Sequence, residues 1–275
     1  ATVNGAASLT SHTANSATVG ADGSATSGNT GVGVAVAVNV AKTSNQAMVG
    51  QNLSARSFSA TAAMNPGGTT NQFSTTAVSG AGASNVGIAG SIAVNALDLS
   101  SNATLAGGYG VTMLSGGTGK FALTAENVSA SSASSTPASG AASGSKVGIG
   151  ASVAVNVVSN RATALMDDNS TVSGASDITV QATGKDTVTT TAEAGASGGT
   201  AITPVAAINV INNTVGARIG SGATLTATGD LLVEADQTAS ASASAKGSSQ
   251  GSTAAIGAAV AVALVDDEVS ATTSR

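Results

Sequence analysis

Cysteine and tryptophan are absent, and the aromatic inventory is one tyrosine and three phenylalanines. No disulfide framework can hold such a chain, which suits an extracellular protein that manages without cross-links. So few large rings cannot fill the thick core of a compact globule, and they leave nucleobases nothing to stack on. Charge is scarce too, with nine Lys and Arg placed singly against fourteen Asp and Glu, a formal net charge of −5. A nucleic-acid partner needs a basic stripe, and there is none. Apolar runs such as 254–265 fall short of the roughly 20 residues of a membrane helix, and the aromatic girdles of membrane barrels are missing. The expectation is a soluble chain that is not membrane-embedded. Neither an initiator Met nor a signal peptide opens it, as expected of a mature piece.

What is plentiful is small. Thirty-five glycines accompany Ser, Thr and Ala, broken by recurring Val and Ile runs of a kind that disordered chains lack. The runs are "VGVAVAVNV", "VGIAGSIAVNA", "VGIGASVAVNVV", "AITPVAAINVI" and "AAIGAAVAVALV". Anchored on Asn39, Asn95, Asn156 and Asn209, with Ala263 in the fifth place, they lie 56, 61, 53 and 54 residues apart. Self-similarity at such a period is the signature of a repeat architecture. It predicts a single array over residues 1–275, with repeats beginning near 31, 86, 147, 201 and 254, and a slice of a longer chain.

Each run alternates with period two, which is strand geometry. Val147, Ile149, Val153 and Val155 share one face, while Gly148, Gly150, Ser152, Ala154 and Asn156 share the other. β-Branched residues favour strands, and so much glycine is poorly tolerated in a helix. The aliphatic face is the expected core, which leaves the small-residue face outward, where flat rods would bundle. Six buried aliphatic side chains at roughly 1.5 to 3 kcal/mol each do not offset about 1 to 2 kcal/mol of backbone entropy per residue over a repeat. A repeat alone is not expected to fold.

Two further segments complete each repeat. One is "STVSGASDITVQAT" or "GATLTATGDLLVEADQT"; the other is "TVTTTAEAGASGG" or "TASASASAKGSSQG". Their spacing of about 19 residues favours an all-β parallel β-helix, a β-solenoid, with three coils per repeat. Successive asparagines would then stand about 14 Å apart. The alternative is one wide coil per repeat, with the asparagines stacked as an amide ladder.

The stretches "NVINNTVGARIGSGATLTATGDLLVEA" (209–235) and "AVNVVSNRATALMDDNSTVSGASDITVQA" resemble the repeats of filamentous haemagglutinin-like and leukotoxin-type filamentous adhesins. These are very large bacterial surface proteins exported through an outer-membrane pore. The resemblance implies a right-handed parallel β-helix on the bacterial outer surface or in the extracellular space. It implies a structural or adhesive segment of a giant fibre, acting as a stiff spacer or matrix component. Its partners would be further copies, end to end or side by side, and a receptor on a host or neighbouring cell. Within residues 1–275 neither the secretion domain nor the C-terminal barrel or anchor of such proteins is expected. Two other readings are a self-assembling amyloid-like filament, with "VGVAVAVNV" as a zipper segment, and a glycan-binding or glycan-processing β-helix. The last is disfavoured, because the sequence shows neither an aromatic platform nor a cluster of catalytic carboxylates.

No enzyme and no cofactor are expected. His12, the one histidine, has no partner cluster and reads as solvated. Gly195-Ala196-Ser197-Gly198-Gly199 matches G-x-S-x-G, which needs a strand-turn-helix and a histidine to act. "GGYGVTMLSGGTGKFALT" (107–124) follows the Ca²⁺-binding nonapeptide frame, but Thr112 and Phe121 occupy the aspartate positions, so it reads as an insertion that lengthens its repeat. Asp167, Asp168, Asp266 and Asp267 follow long strands; they are candidate Ca²⁺ ligands between turns, with solvated turns as the preferred reading. Five N-x-S/T sequons, at Asn52, Asn102, Asn127, Asn169 and Asn212, are near chance for this composition. Thr187, Thr189 and Thr191, and Thr224, Thr226 and Thr228, fall in different thirds of the repeat and are not expected to form one flat array.

Overall fold

The computed structural model describes residues 1–64, 71–114 and 118–274. Residues 115–117, inside the nonapeptide-like stretch, lie outside the described residues. Among these residues there are strands and turns and no helix. The strands are β1 (Ala6–Thr13), β2 (Ser16–Asp22), β3 (Ala25–Ser27), β4 (Thr30–Val49), β5 (Leu53–Ala55), β6 (Ser57–Met64) and β7 (Asn71–Ala83). They continue with β8 (Val86–Leu105), β9 (Gly110–Met113), β10 (Gly119–Met166), β11 (Thr171–Ile219), β12 (Thr224–Ala227) and β13 (Leu231–Thr273). All pair in parallel within one 13-stranded sheet, the parallel solenoid that the repeats predict.

The register corrects the expected number of coils. Asn39 pairs with Asn95, Asn95 with Asn156, Asn156 with Asn209, and Asn209 with Ala263. The step between paired strands is therefore a whole repeat, so each repeat is one wide coil and not three. Stacking like on like explains the preference: along all 20 residues of β4, each side chain meets its own counterpart in β8. The 19-residue spacing marks consecutive segments of one coil, namely the front strand, the wall with the start of the back sheet, and the rest of the back sheet, instead of successive coils. At about 4.8 Å per coil, five coils span about 24 Å along the axis, while a 20-residue strand runs about 66 Å across it. The molecule is a slab, wider than it is tall.

The unequal spacings have a local cause. The coil from Asn95 to Asn156 takes 61 residues and the next takes 53. The surplus lies between Thr112 and Phe121, between Ser135 and Ala142, and between Gly144 and Val147, where the register with the following coil shifts. Smaller shifts fall between Gly198 and Thr200 and between Val172 and Ala175 in the pairing with the last coil.

Each coil has three sides. The front sheet is β4, β8 and residues 147–166, 200–219 and 254–273. A short wall follows, made of β5, β9, residues 171–175 and β12. The chain then returns through the back sheet, from Ser57–Met64 to Asn71–Ala83 and their counterparts above. The turn into the wall needs a left-handed residue. Gly108 (φ 77°), Asn169 (φ 57°) and Gly222 (φ 67°) supply it in successive coils, and Gly and Asn adopt that conformation at least cost.

The two long sheets converge away from the wall. Near the wall the core holds Phe58, Phe121, Leu105, Met166 and Ile178, with Phe58 and Phe121 stacked at 5.5 Å. At the opposite margin it holds Ala81, Ala89, Ala142, Ala196 and Ala201. A Cβ placed on Gly148 would lie 2.3 Å from Ser197 O, and one on Gly150 would lie 2.4 Å from Gly195 O. The sheets there touch backbone to backbone.

This taper reverses the expected faces. The small residues of each run point inward: Gly148, Ser152, Ala154 and Asn156 are buried, and both Ala93 and Ala154 are 0 % exposed. Most of the Val and Ile residues point outward, with Val40 77 % exposed and Val34 63 %, while Val158, Val205 and Ile211 are buried. Small side chains dominate the inward positions where the sheets are this close, with Val205 the branched exception among the alanines of that cluster. The inward alanines are therefore not a bundling surface.

Candidate functional site

The inward asparagines stack but form no continuous ladder. Asn39 Nδ2 donates to Asn95 Oδ1 at 2.8 Å, the one direct link in the column. Asn95 Nδ2 crosses to the back sheet, donating to Ser131 Oγ at 2.8 Å and to the Phe73 carbonyl at 3.1 Å. Ser131 Oγ in turn donates to Asn156 Oδ1 at 2.6 Å. Thr190 Oγ1 donates to Asn209 Oδ1, and Asn209 Nδ2 donates to the Ser242 carbonyl at 2.8 Å. The column is a structural stitch between the two sheets, at the depth where the core passes from bulky to small side chains. Buried amides need such partners, because an unpaired one is costly.

A second buried polar group surrounds Asp186 on the back sheet. Its Oδ1 accepts from Ser129 Oγ at 2.9 Å and from Asn160 Nδ2, and its Oδ2 accepts from Gln237 Nε2 at 2.9 Å. Burial pushes the Asp186 carboxyl above the usual carboxylate range against these three donors, and Asp267 pushes the same way. With both oxygens already engaged by donors, the arrangement is that of a satisfied core acid. No motif announces it, since Asp186 sits in "GKDTV" among ordinary polar residues.

The acidic turn residues serve the turns. Asp168 Oδ1 accepts from the Ser221 backbone N–H at 2.8 Å and pairs with Arg218 Nη2 at 3.1 Å, and Asp167 Oδ1 accepts from the Asp168 N–H at 2.8 Å. Asp266 and Asp267 stand elsewhere, in register with Asn212 and Asn213 within the front sheet, where Asn213 Nδ2 donates to Asp267 Oδ1 at 2.7 Å. The two acidic pairs are thus not brought together, and no group of three or more His, Cys, Asp or Glu suited to a metal occurs among the described residues. Asp177, at the start of its back-sheet segment, is held below the usual range by the Asp230 backbone N–H and by Lys120, 3.2 Å away.

The other motifs fall on ordinary strand. His12 is exposed on β1 beside Ala63. Gly195–Gly199 runs through β11 without a turn or helix, so no nucleophile elbow forms. Asn127 is buried, with Nδ2 donating to the Leu99 carbonyl, which removes it as a glycan acceptor. Thr224 and Thr226 lie on β12, in the end wall, while Thr187, Thr189 and Thr191 lie on the back sheet. The second set does extend into a hydroxyl column, Thr18, Ser74, Ser132, Thr189 and Ser242, with Ser132 Oγ donating to Ser74 Oγ at 3.1 Å.

The molecule therefore has two contrasting outer faces, aliphatic on the front sheet and hydroxyl-rich on the back. Among the described residues no helix is long and apolar enough to cross a membrane. Comparison of the chain with protein-family models, with curated proteins and with solved structures finds no match.

Proposed function

We propose that this chain is a structural and adhesive segment of a bacterial cell-surface or extracellular fibre, and that it works as a self-associating matrix component. The observation that carries the reading is the in-register stacking of the five runs anchored at Asn39, Asn95, Asn156, Asn209 and Ala263, one per coil. Some 56 residues then yield only about 4.8 Å of axial length. A chain built this way gains little reach per residue and a great deal of flat, rigid surface, which favours a matrix role over a spacer. The resemblance of 209–235 to filamentous adhesin repeats points the same way. Among the described residues β12 and β13 each pair only with β11, and unpaired strand edges recruit further strands.

Electron microscopy and sedimentation of the purified protein at rising concentration test this. Filaments or sheets that grow with concentration are expected. A strictly monomeric species over the whole range contradicts the reading.

A further inference from the structure

We infer that the aliphatic outer face of the front sheet docks face to face onto the same face of a second copy of this chain. The inference rests on the self-associating role proposed above and names the surface that would serve it.

The face is built by register. Val36, Ile92, Val153, Ala206 and Val260 form one column across five coils, and the positions two and four residues to either side repeat the pattern. In the interior coils, where neighbours cover both flanks, Ile92 is still 42 % exposed and Val157 39 %. Exposure on this face is highest in the first and last coils and persists at lower values in the interior ones. Five columns about 6.8 Å apart over five coils about 4.8 Å apart give about 800 Å². That exceeds the few hundred Å² typical of an exposed apolar patch on a monomer, and it equals about what each partner contributes to a standard stable interface.

Rim and relief fit a protein partner of the same shape. Beyond the apolar columns the strand turns polar: Lys42 and Asp98 form an ion pair at 2.8 Å, and Arg161 stands in the column next outward from theirs. At the other margin are Asn29 and Asn85, with Lys146 in the next coil. An apolar centre with a polar rim is the anatomy of an interface. Within the face, Gly90, Ala151 and Ala206 leave hollows beside Ile92 and Val153. β-Branched side chains hold one rotamer and do not adapt, so the surface suits another flat sheet at the usual spacing of about 10 Å. A lipid surface is instead met by aromatic and basic side chains together; this face has no aromatic residue, and its basic residues stand only at the rim. A second copy presents the same area and relief, and twofold pairing makes the contact self-complementary.

The test is sedimentation equilibrium of the full chain, its Ile92→Lys and Val153→Lys variants, and a back-face control, Ser132→Lys, each checked for its fold by circular dichroism. Wild type and the control are expected to dimerise alike, with the front-face variants weakened at least about 30-fold at unchanged β content. Dimers that persist in both folded front-face variants overturn the inference. So does flotation of wild type, but not of the variants, with phosphatidylcholine–phosphatidylglycerol vesicles while wild type stays monomeric. Should a lysine variant fail to fold, Val153→Ser supplies the same reading with a smaller group. Filaments that still grow end to end while lateral dimers are absent defeat this inference alone; loss of all self-association in wild type defeats the proposed function as well.

Discussion

At the thin margin of the coil a Cβ on Gly148 would come within 2.3 Å of the Ser197 carbonyl oxygen, whereas at the thick margin Phe58 and Phe121 stack at 5.5 Å with Leu105, Leu123 and Met166 around them. The same strands run through both regions, so secondary structure does not distinguish them. The separation of the sheets does. Where the sheets are far apart, stability comes from filling volume; where they touch, it comes from leaving volume out. Asn95, Asn156 and Asn209 sit at the crossover, reaching to the opposite sheet through hydrogen bonds too short for methyl groups to replace.

The comparison predicts opposite sensitivities. Gly148→Val, which adds bulk where backbone meets backbone, is expected to cost more than about 4 kcal/mol and to abolish the cooperative urea transition. Phe121→Ala, which removes bulk at the other margin, is expected to cost about 3 to 5 kcal/mol, read from the shift in urea midpoint with the transition still cooperative. A Gly148→Val variant as stable as wild type would remove the thin margin from the account. Asn156→Ala strands the Ser131 hydroxyl that donates to it and is expected to cost about 1 to 3 kcal/mol. A neutral result there would mean that the column is not a stitch between the sheets.

The smallest expected effect depends on pH. Because burial raises the Asp186 pKa in the fold above its ordinary value of 3.8, the native state keeps this proton where the unfolded chain has released it. The stability contributed by this group is full below 3.8 and declines as pH rises through the folded value. Asp177, held low, contributes above its unfolded value and is lost as pH falls. Thermal melts of Asp186→Asn against pH should show the decline flattened. A wild-type curve that rises over that interval, with the variant unchanged, would contradict the environment described for Asp186.

The repeat, its asparagine anchor and the period-two strands were all legible in the sequence, because they depend only on the order of residues. Which face of "VGIGASVAVNVV" turns inward was not. Hydropathy favours burying Val153 and Val155, but the space between sheets is set by residues such as Gly195 and Ser197, some fifty positions away. The number of coils was hidden for a related reason. A 19-residue spacing inside a 53-residue repeat is produced equally by three stacked coils or by three consecutive segments of one coil, and only the pairing of Asn156 with Asn209 separates them. The Asp186 cluster was illegible because Ser129, Asn160 and Gln237 come from three separate stretches that converge only in the folded coil.

The most direct test of one repeat per coil is the axial rise per repeat, measured by electron cryo-microscopy of the purified protein or of its fibres. A rise of about 4.8 Å is expected for each asparagine-anchored repeat, with Asn39, Asn95, Asn156 and Asn209 in one column. A rise of about 14 Å per repeat would contradict it, restoring three narrow coils and dissolving the flat faces on which the proposed self-association depends.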